Sequence, residues 1–259
     1  MSAVGATAKH LAEIEDAGLN ASAPRQQLWM DGWLLRLSPG KAKRARCINA
    51  LAPGLATPAE KLARAQRCFD DAGLPLIVRV TPFSQPHGLD VALAAAGLQR
   101  FDPTEVLLAD LTGPGRLVPL PAGLALDPLD AEAFARLVGG LRGSPASQQR
   151  AQAERLAASP VPYRGFALRA NGEMLACGQF ARESDLVGLY DVFTAPAARH
   201  RGLARALCSA LLRQAAAEGA RTAYLQVDAG NAAALALYRG LGFRDGYRYH
   251  YRASEPDRC

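Results

Sequence analysis

Much of what narrows this 259-residue chain is missing from it. No stretch approaches the roughly 18 uninterrupted apolar residues of a membrane-spanning helix. With 49% hydrophobic and 21% charged residues, the composition is that of a globular chain and no membrane is expected as a partner. The opening "MSAVGATAKHLAEIEDAG" lacks a basic segment followed by an apolar one, so a secretory leader is not expected and a cytoplasmic location is. There is no C-x-x-C pair. Cys47, Cys68, Cys177, Cys208 and Cys259 are scattered and odd in number, which suits a reducing compartment. They read best as small core residues, with metal ligation or nucleophilic chemistry as the alternative, and no metal is expected. The phosphate loop G-x-x-x-x-G-K-[ST] is absent, and no G-x-G-x-x-G opens a helix after a strand in the C-terminal half, which counts against nucleoside triphosphates and dinucleotides.

Excess charge is also modest. Thirty Lys and Arg stand against twenty-four Asp and Glu, spread along the chain, so nucleic acid is not expected as a partner. The one dense cationic run is "KAKRAR", Lys41 to Arg46, between "GWLLRL" and "CINAL" and just after the turn signal "SPG". This fits a hairpin whose second strand carries the cations on a solvated face, with a binding surface as the other reading.

What is present is a grammar used twice. The Pro- and Gly-rich "LTGPGRLVPLPAG" separates two segments, giving expected domains at 1–113 and 114–259. In the second, a helix ending "AAAEGA" leads to a strand "TAYLQV", a helix "NAAALALYRGLGF" and a strand "YRYHYRA". The first offers "EKLARAQRCFDDAGL", "PLIVRV", "GLDVALAAAGLQRF" and "TEVLLADL" in the same order. Gly73 and Gly97 lie 24 positions apart, Gly219 and Gly242 lie 23, and each marks a helix end where glycine accepts a left-handed backbone. Upstream in the second segment, Asn171-Gly172 predicts a tight hairpin and "RESD" the next turn, so three extended runs form an antiparallel meander. A meander followed by strand, helix, strand, helix and strand gives an α+β fold: a mixed, largely antiparallel sheet flanked by helices.

The chemistry concentrates in "RHRGLARAL", Arg199 to Leu207. Leu203, Ala206, Leu207, Ala210 and Leu211 recur at helical spacing, so a packed helix starts here, directly after a strand. Its first-turn N–H groups lack intrahelical partners and carry the positive end of the helix dipole. Gly202 leaves the backbone open to a ligand and the arginines add matching charge, an arrangement suited to a phosphate. By itself it could also be simply a basic helix start.

The pattern Arg199-x-x-Gly202-x-Ala204 resembles the [RQ]-x-x-G-x-[GA] coenzyme A loop of the GNAT N-acetyltransferase superfamily. Downstream, Asn231, Tyr238 and Gly242-Phe243 resemble that superfamily's second signature. The resemblance covers most of residues 124–252. The N-terminal half resembles a degenerate second copy, because "APGLATPAEKLARAQ" offers no arginine-glycine loop, so a tandem arrangement with one working coenzyme site is expected.

The resemblance implies acetyl-CoA as cosubstrate. Arg199, His200, Arg201, Gly202, Leu203 and Ala204 would hold its pyrophosphate, and the main chain of Val192, Phe193 and Thr194 its pantetheine arm, in a gap where Leu186–Thr194 and Thr222–Val227 splay apart. Asn231 would be a pantetheine contact and Tyr238 the general acid that protonates the departing thiolate; read alone, Tyr238 is a core aromatic. Asp191, or Glu183 at the preceding turn, could take the amine proton, or each could be a solvated carboxylate. Tyr247, Tyr249 and Tyr251 would share one strand face, as ordinary sheet packing or as a substrate wall. The implied activity is acetyl transfer to an amine of a small molecule, peptide or protein by a monomer or homodimer. A non-catalytic acetyl-CoA-binding sensor or scaffold is the alternative.

Overall fold

The computed structural model describes residues 7–113 and 117–256. Cys259 and the first residues after the expected boundary at 113/114 lie outside the described residues. In chain order the elements are α1 (Ala8–Ala21), β1 (Gln27–Met30), β2 (Trp33–Arg36), β3 (Ile48–Ala50), α2 (Pro58–Asp71), β4 (Val78–Val80), α3 (Leu89–Ala95) and β5 (Gln99–Asp110). There follow β6 (Ala125–Leu129), α4 (Ala131–Leu141), α5 (Ala146–Ala157), β7 (Tyr163–Ala170), β8 (Glu173–Glu183), β9 (Leu186–Thr194), α6 (Leu203–Ala217), β10 (Thr222–Asp228), α7 (Ala232–Gly240) and β11 (Arg244–Ala253). The fold is α+β with a mixed, largely antiparallel sheet, as the grammar of the sequence requires.

The chain forms two compact units. The first takes Met1–Ala21, Val106–Val227 and Asn231–Gly246, and its strands run β5-β10-β9-β8-β7-β6. Strands β6 to β9 pair antiparallel in succession, while β10 returns parallel to β9 after α6. Alternation along the strands gives the sheet two buried faces. Val187, Leu189, Ala223 and Leu225 pack with Leu207 and Leu211 of α6 and Tyr238 of α7. Phe134 and Val138 of α4 and Leu156 of α5 cover Cys177 in a separate cluster.

The second unit takes Ser22–Glu105, Asp228–Gly230 and Tyr247–Cys259, with strands in the order β1-β2-β3-β4-β11. Its core gathers Trp33, Leu35, Ile48 and Val78 under Phe69 of α2 and Leu93 of α3. Here β3 and β4 are parallel and joined through α2, the same arrangement as β9, α6 and β10. All four helix-end glycines hold positive φ, Gly73 at 65°, Gly97 at 85°, Gly219 at 102° and Gly242 at 100°. Asn171 and Gly172 turn at φ 50° and 82°, the signs the tight hairpin demands.

Helix α1 belongs to the first unit, and β5 and β11 each divide their residues between the two. One reading of the sequence is altered. The run Lys41 to Arg46 is not a solvated strand face. It forms a 3-10 turn at Lys43–Ala45 between the antiparallel strands β2 and β3. The Lys43 ammonium sits 2.6 Å from the Asp102 carboxylate, and Arg44 donates to the Tyr249 hydroxyl at 3.3 Å, so specific partners outcompete water for these cations. Tyr247, Tyr249 and Tyr251 are all buried, Tyr247 edge-on to Phe83 and Tyr251 against Phe101, which is sheet packing.

Candidate functional site

The site lies in the first unit, where β9 parts from β10. Their parallel pairing covers Thr222–Leu186 to Leu225–Leu189 and stops there. On its other edge β9 stays paired to β8, but the register shifts between Cys177–Phe193 and Gln179–Tyr190, so Asp191 and Val192 together oppose one residue. Asp191 has φ 50°, a left-handed backbone that costs a non-glycine residue about 1–2 kcal/mol. Such a bulge bends its strand and leaves the extra residue outside the ladder. Beyond it, Val192, Phe193 and Thr194 run on without a β10 partner in that register, which leaves a slot edged by main chain.

Three side chains hold the bulge. The Asp191 carboxylate accepts from Arg142 Nη1 at 2.7 Å, from Gln179 Nε2 at 2.7 Å and from Gln152 Nε2 at 3.2 Å. Hydrogen bonds to a charged group contribute about 1.5–3 kcal/mol each, so together they exceed the backbone strain. Nothing in the sequence pairs residues 142, 152 and 179 with 191. The only local hint is Gln179, a single amide in the otherwise apolar run Leu175–Ala181, and it is buried.

Past Thr194 the chain makes a 3-10 turn at Pro196–Ala198 and reaches the loop. His200 and Gly202 have φ 61° and 73°, while Arg201 between them does not share the positive sign. Alternation of this kind turns successive N–H groups into one concavity suited to an anion. Gly202 is the N-cap of α6 and supplies no side-chain acceptor, the first turn contains no acidic residue, and Ala206 N–H bonds back to Gly202 O. The amides of Leu203 and Ala204 therefore open the helix uncapped, with exposed Arg199, His200 and Arg201 around them. A Cβ on Gly202 would meet open space, so its need for glycine is conformational. Arg199 Nε donates to Thr194 O at 3.4 Å and its guanidinium lies 5.8 Å from the Phe193 ring centroid, which ties the loop to the strand end.

The corresponding helix of the second unit begins differently. Thr57 Oγ1 accepts from Glu60 N–H, and the Glu60 carboxylate accepts from Thr57 N–H, a capping box closed by the chain's own side chains. The hydrogen bonds from Thr57 hold the Glu60 carboxyl below its usual range, so a fixed anion already occupies that helix start.

Tyr238 is buried on α7 beside Phe243, edge-on with ring centroids 5.9 Å apart, in the cluster that contains Leu203 and Val227. Among the described residues its hydroxyl has no hydrogen-bond partner. Burial pushes the phenol well above the usual tyrosine range, so it keeps its proton at neutral pH. Asn231 caps α7: its Oδ1 accepts from Ala234 N–H at 3.0 Å, which leaves the amide NH2 as its donor. Glu183 is elsewhere. It faces Leu186 at the start of β9, five residues and roughly 16 Å of strand from Asp191, and accepts from Asn20 at 2.9 Å.

Cysteine chemistry is not part of this arrangement. Burial raises the Cys177 and Cys208 thiols to about 12 and Cys47 to about 11, so all three are inert core residues. Among the described residues no group of three or more His, Cys, Asp or Glu could hold a metal ion. No described helix is long and apolar enough to cross a membrane.

Comparison with known proteins bears on this geometry. Residues 132–243, which contain α4 to α7 with the loop and Tyr238, match the model of the acetyltransferase (GNAT) family. The [ribosomal protein bS18]-alanine N-acetyltransferase of Escherichia coli (strain K12) is 37% identical over 83 residues, 32% of this chain and 56% of that protein. The chain thus spans about half the length of the curated relatives it matches. Among solved structures, a GCN5-related N-acetyltransferase from Kribbella flavida is similar over 98% of this chain and 97% of its own, with a TM-score of 0.69 and 20% identity. A tandem GNAT protein from the clavulanic acid biosynthesis pathway is similar over 77% of this chain and 70% of its own, with a TM-score of 0.62 and 17% identity. The two structural likenesses speak to the fold. The family match covers the splayed strands, the uncapped helix start and the buried tyrosine, so residues 132–243 are similar to a GNAT acetyltransferase domain.

Proposed function

We propose that this protein transfers the acetyl group of acetyl-CoA to an amine of a small molecule, peptide or protein. The observation that carries the reading is the uncapped start of α6, where backbone amides, a left-handed Gly202 and three basic side chains meet at the end of a strand that has left its neighbour. A pyrophosphate fits that concavity. In this reading Arg199, His200, Arg201, Gly202, Leu203 and Ala204 hold the phosphates, Val192, Phe193 and Thr194 offer main-chain groups to the pantetheine arm, and the Asn231 amide adds a contact.

The acceptor nitrogen, uncharged, attacks the thioester carbonyl carbon. A C–N bond forms, the C–S bond breaks, and the departing sulfur takes the proton that Tyr238 retains through burial. The amine proton leaves to water, because Glu183 stands at the far end of β9 and Asp191 is already held by three donors. The name of the 37%-identical relative makes an N-terminal peptide amine the first acceptor to try. We further read the second unit as a tandem copy whose coenzyme loop has been replaced by the Thr57–Glu60 capping box.

The test is calorimetric titration of acetyl-CoA into the wild type and Gly202→Glu, followed by free-thiol release against a panel of amines and N-terminal peptides. Binding that is lost in the variant, with turnover on some amine, is the expected result. Binding without turnover on any acceptor would favour a sensor or scaffold, and no wild-type binding would remove the coenzyme reading altogether.

A further inference from the structure

Asp191 is held from three directions, and the three donors are not equivalent. Gln179 reaches up from the neighbouring strand β8 and is buried, while Gln152 comes from α5; both are neutral. Only Arg142 brings a charge to balance the carboxylate. Its base is rigid. Arg142 is the C-cap of α4, its N–H bonds back to Val138 and Gly139 carbonyls, and the turn that follows is closed by Ser144 N–H to Gly139 O and by Gln149 Nε2 to Ser144 O. The guanidinium is therefore delivered from a fixed helix end to the one residue of β9 with a left-handed backbone.

We propose that Arg142 is a positioning residue for acetyl transfer: its grip on Asp191 fixes the bulge that turns the end of β9 from β10, and so sets the slot bordered by Val192 to Thr194. Without that charge, the carboxylate of a strained residue would seek water, and the strand would relax toward a regular ladder. The kinetic consequence rests on the acetyl-transfer reading above; the structural one does not. Side chains that orient a reacting geometry without touching substrate act in this way, and displacements near 1 Å can cost about 100-fold in rate. Arginine suits the task because its planar fork holds a carboxylate in a defined orientation, which a lysine does as a point charge only.

The experiment compares Arg142→Ala, Arg142→Lys and, as a control on the same helix, Arg136→Ala, which removes an exposed pair with Glu132. Amide hydrogen exchange on the coenzyme-free proteins comes first. In Arg142→Ala, exchange should quicken about tenfold or more over residues 190–194 and stay unchanged along α6. Acetyl-CoA affinity and kcat should each fall about 10- to 100-fold with the thermal midpoint little moved, Arg142→Lys should recover part of both, and Arg136→Ala should match the wild type. Asp191→Asn should lower the rate uniformly and keep the midpoint of the acid limb of the pH profile.

Wild-type exchange over 190–194 in Arg142→Ala overturns the proposal, whether or not the protein binds acetyl-CoA. So does a rise in exchange spread over the whole unit with a lower thermal midpoint, which would make Arg142 a general stabiliser. Loss of the acid limb in Asp191→Asn would make Asp191 the base and overturn the positioning role. A wild type that fails to bind acetyl-CoA counts against the coenzyme reading alone, and the exchange measurement then decides the role of Arg142.

Discussion

Tyr238 shows how burial and a polar tip combine at a single residue. The Tyr238 ring is buried on α7, which follows β10, while its hydroxyl is not among the buried polar atoms left without a partner in the described residues. Tyr238→Phe keeps the ring and its edge contact with Phe243 and removes the proton. The variant should bind acetyl-CoA within about twofold of wild type and lose about 10²–10⁴ in kcat, measured by thiol release under saturating coenzyme. Equal losses in affinity and rate would instead assign Tyr238 to packing. The seven-residue interval from Asn231 to Tyr238 was legible in the sequence because a helix repeats faces at that spacing. The partners of Asp191 were not: positions 142, 152 and 179 meet 191 only once α4, α5 and β8 are assembled.

Among the elements, two helices with the same place in the repeated order begin in opposite ways. Helix α2 fills its own N-terminus with Thr57 and Glu60, while α6 leaves its amides open beneath Gly202. That contrast could be read from "TPAE" against "RGLA", since Thr and Glu three apart announce a capping box and Gly announces none. The clip between α3 and β11 is a different matter. Asp90 accepts from Arg252 and His250, and those bonds hold its carboxyl down to about 2. Burial lowers the His250 pKa against the raising effect of Asp90, with Arg100 and Arg252 adding to the lowering. Both groups bind protons more readily unfolded than folded. The stability they contribute is full above their unfolded values, begins to be lost below about pH 6.5 for His250, and is lost from about pH 4 toward about 2 for Asp90. Thermal midpoints should therefore fall between pH 7 and 5, and His250→Gln should flatten that part of the curve. An unchanged slope in the variant would assign the acid sensitivity to other groups.

At the scale of the whole molecule, sequence order and compact unit do not coincide. The first unit uses α1 and the Val106–Asp110 end of β5, which stands beside β10; the second uses Tyr247–Ala253 of β11, which pairs with β4. Fragments 1–113 and 114–259 made separately each leave a strand edge and apolar surface uncovered. Each should bind a hydrophobic dye and melt without a cooperative transition, while co-expression should restore one; a sharp native-like transition in 114–259 alone would show that the exchanged pieces are dispensable. The α+β class, the order of helices and strands, the hairpin at Asn171-Gly172 and the loop at Gly202 were all legible from the chain alone. These rest on periodicity, capping and backbone sign, which neighbouring residues decide locally. Tertiary assembly sets which strands close which unit, turns Lys43 and Arg44 of "KAKRAR" onto Asp102 and Tyr249, and brings Arg142 onto Asp191. Those outcomes depend on groups brought together from tens to about two hundred residues apart, where burial and charge pairing outweigh any preference written in the local chain.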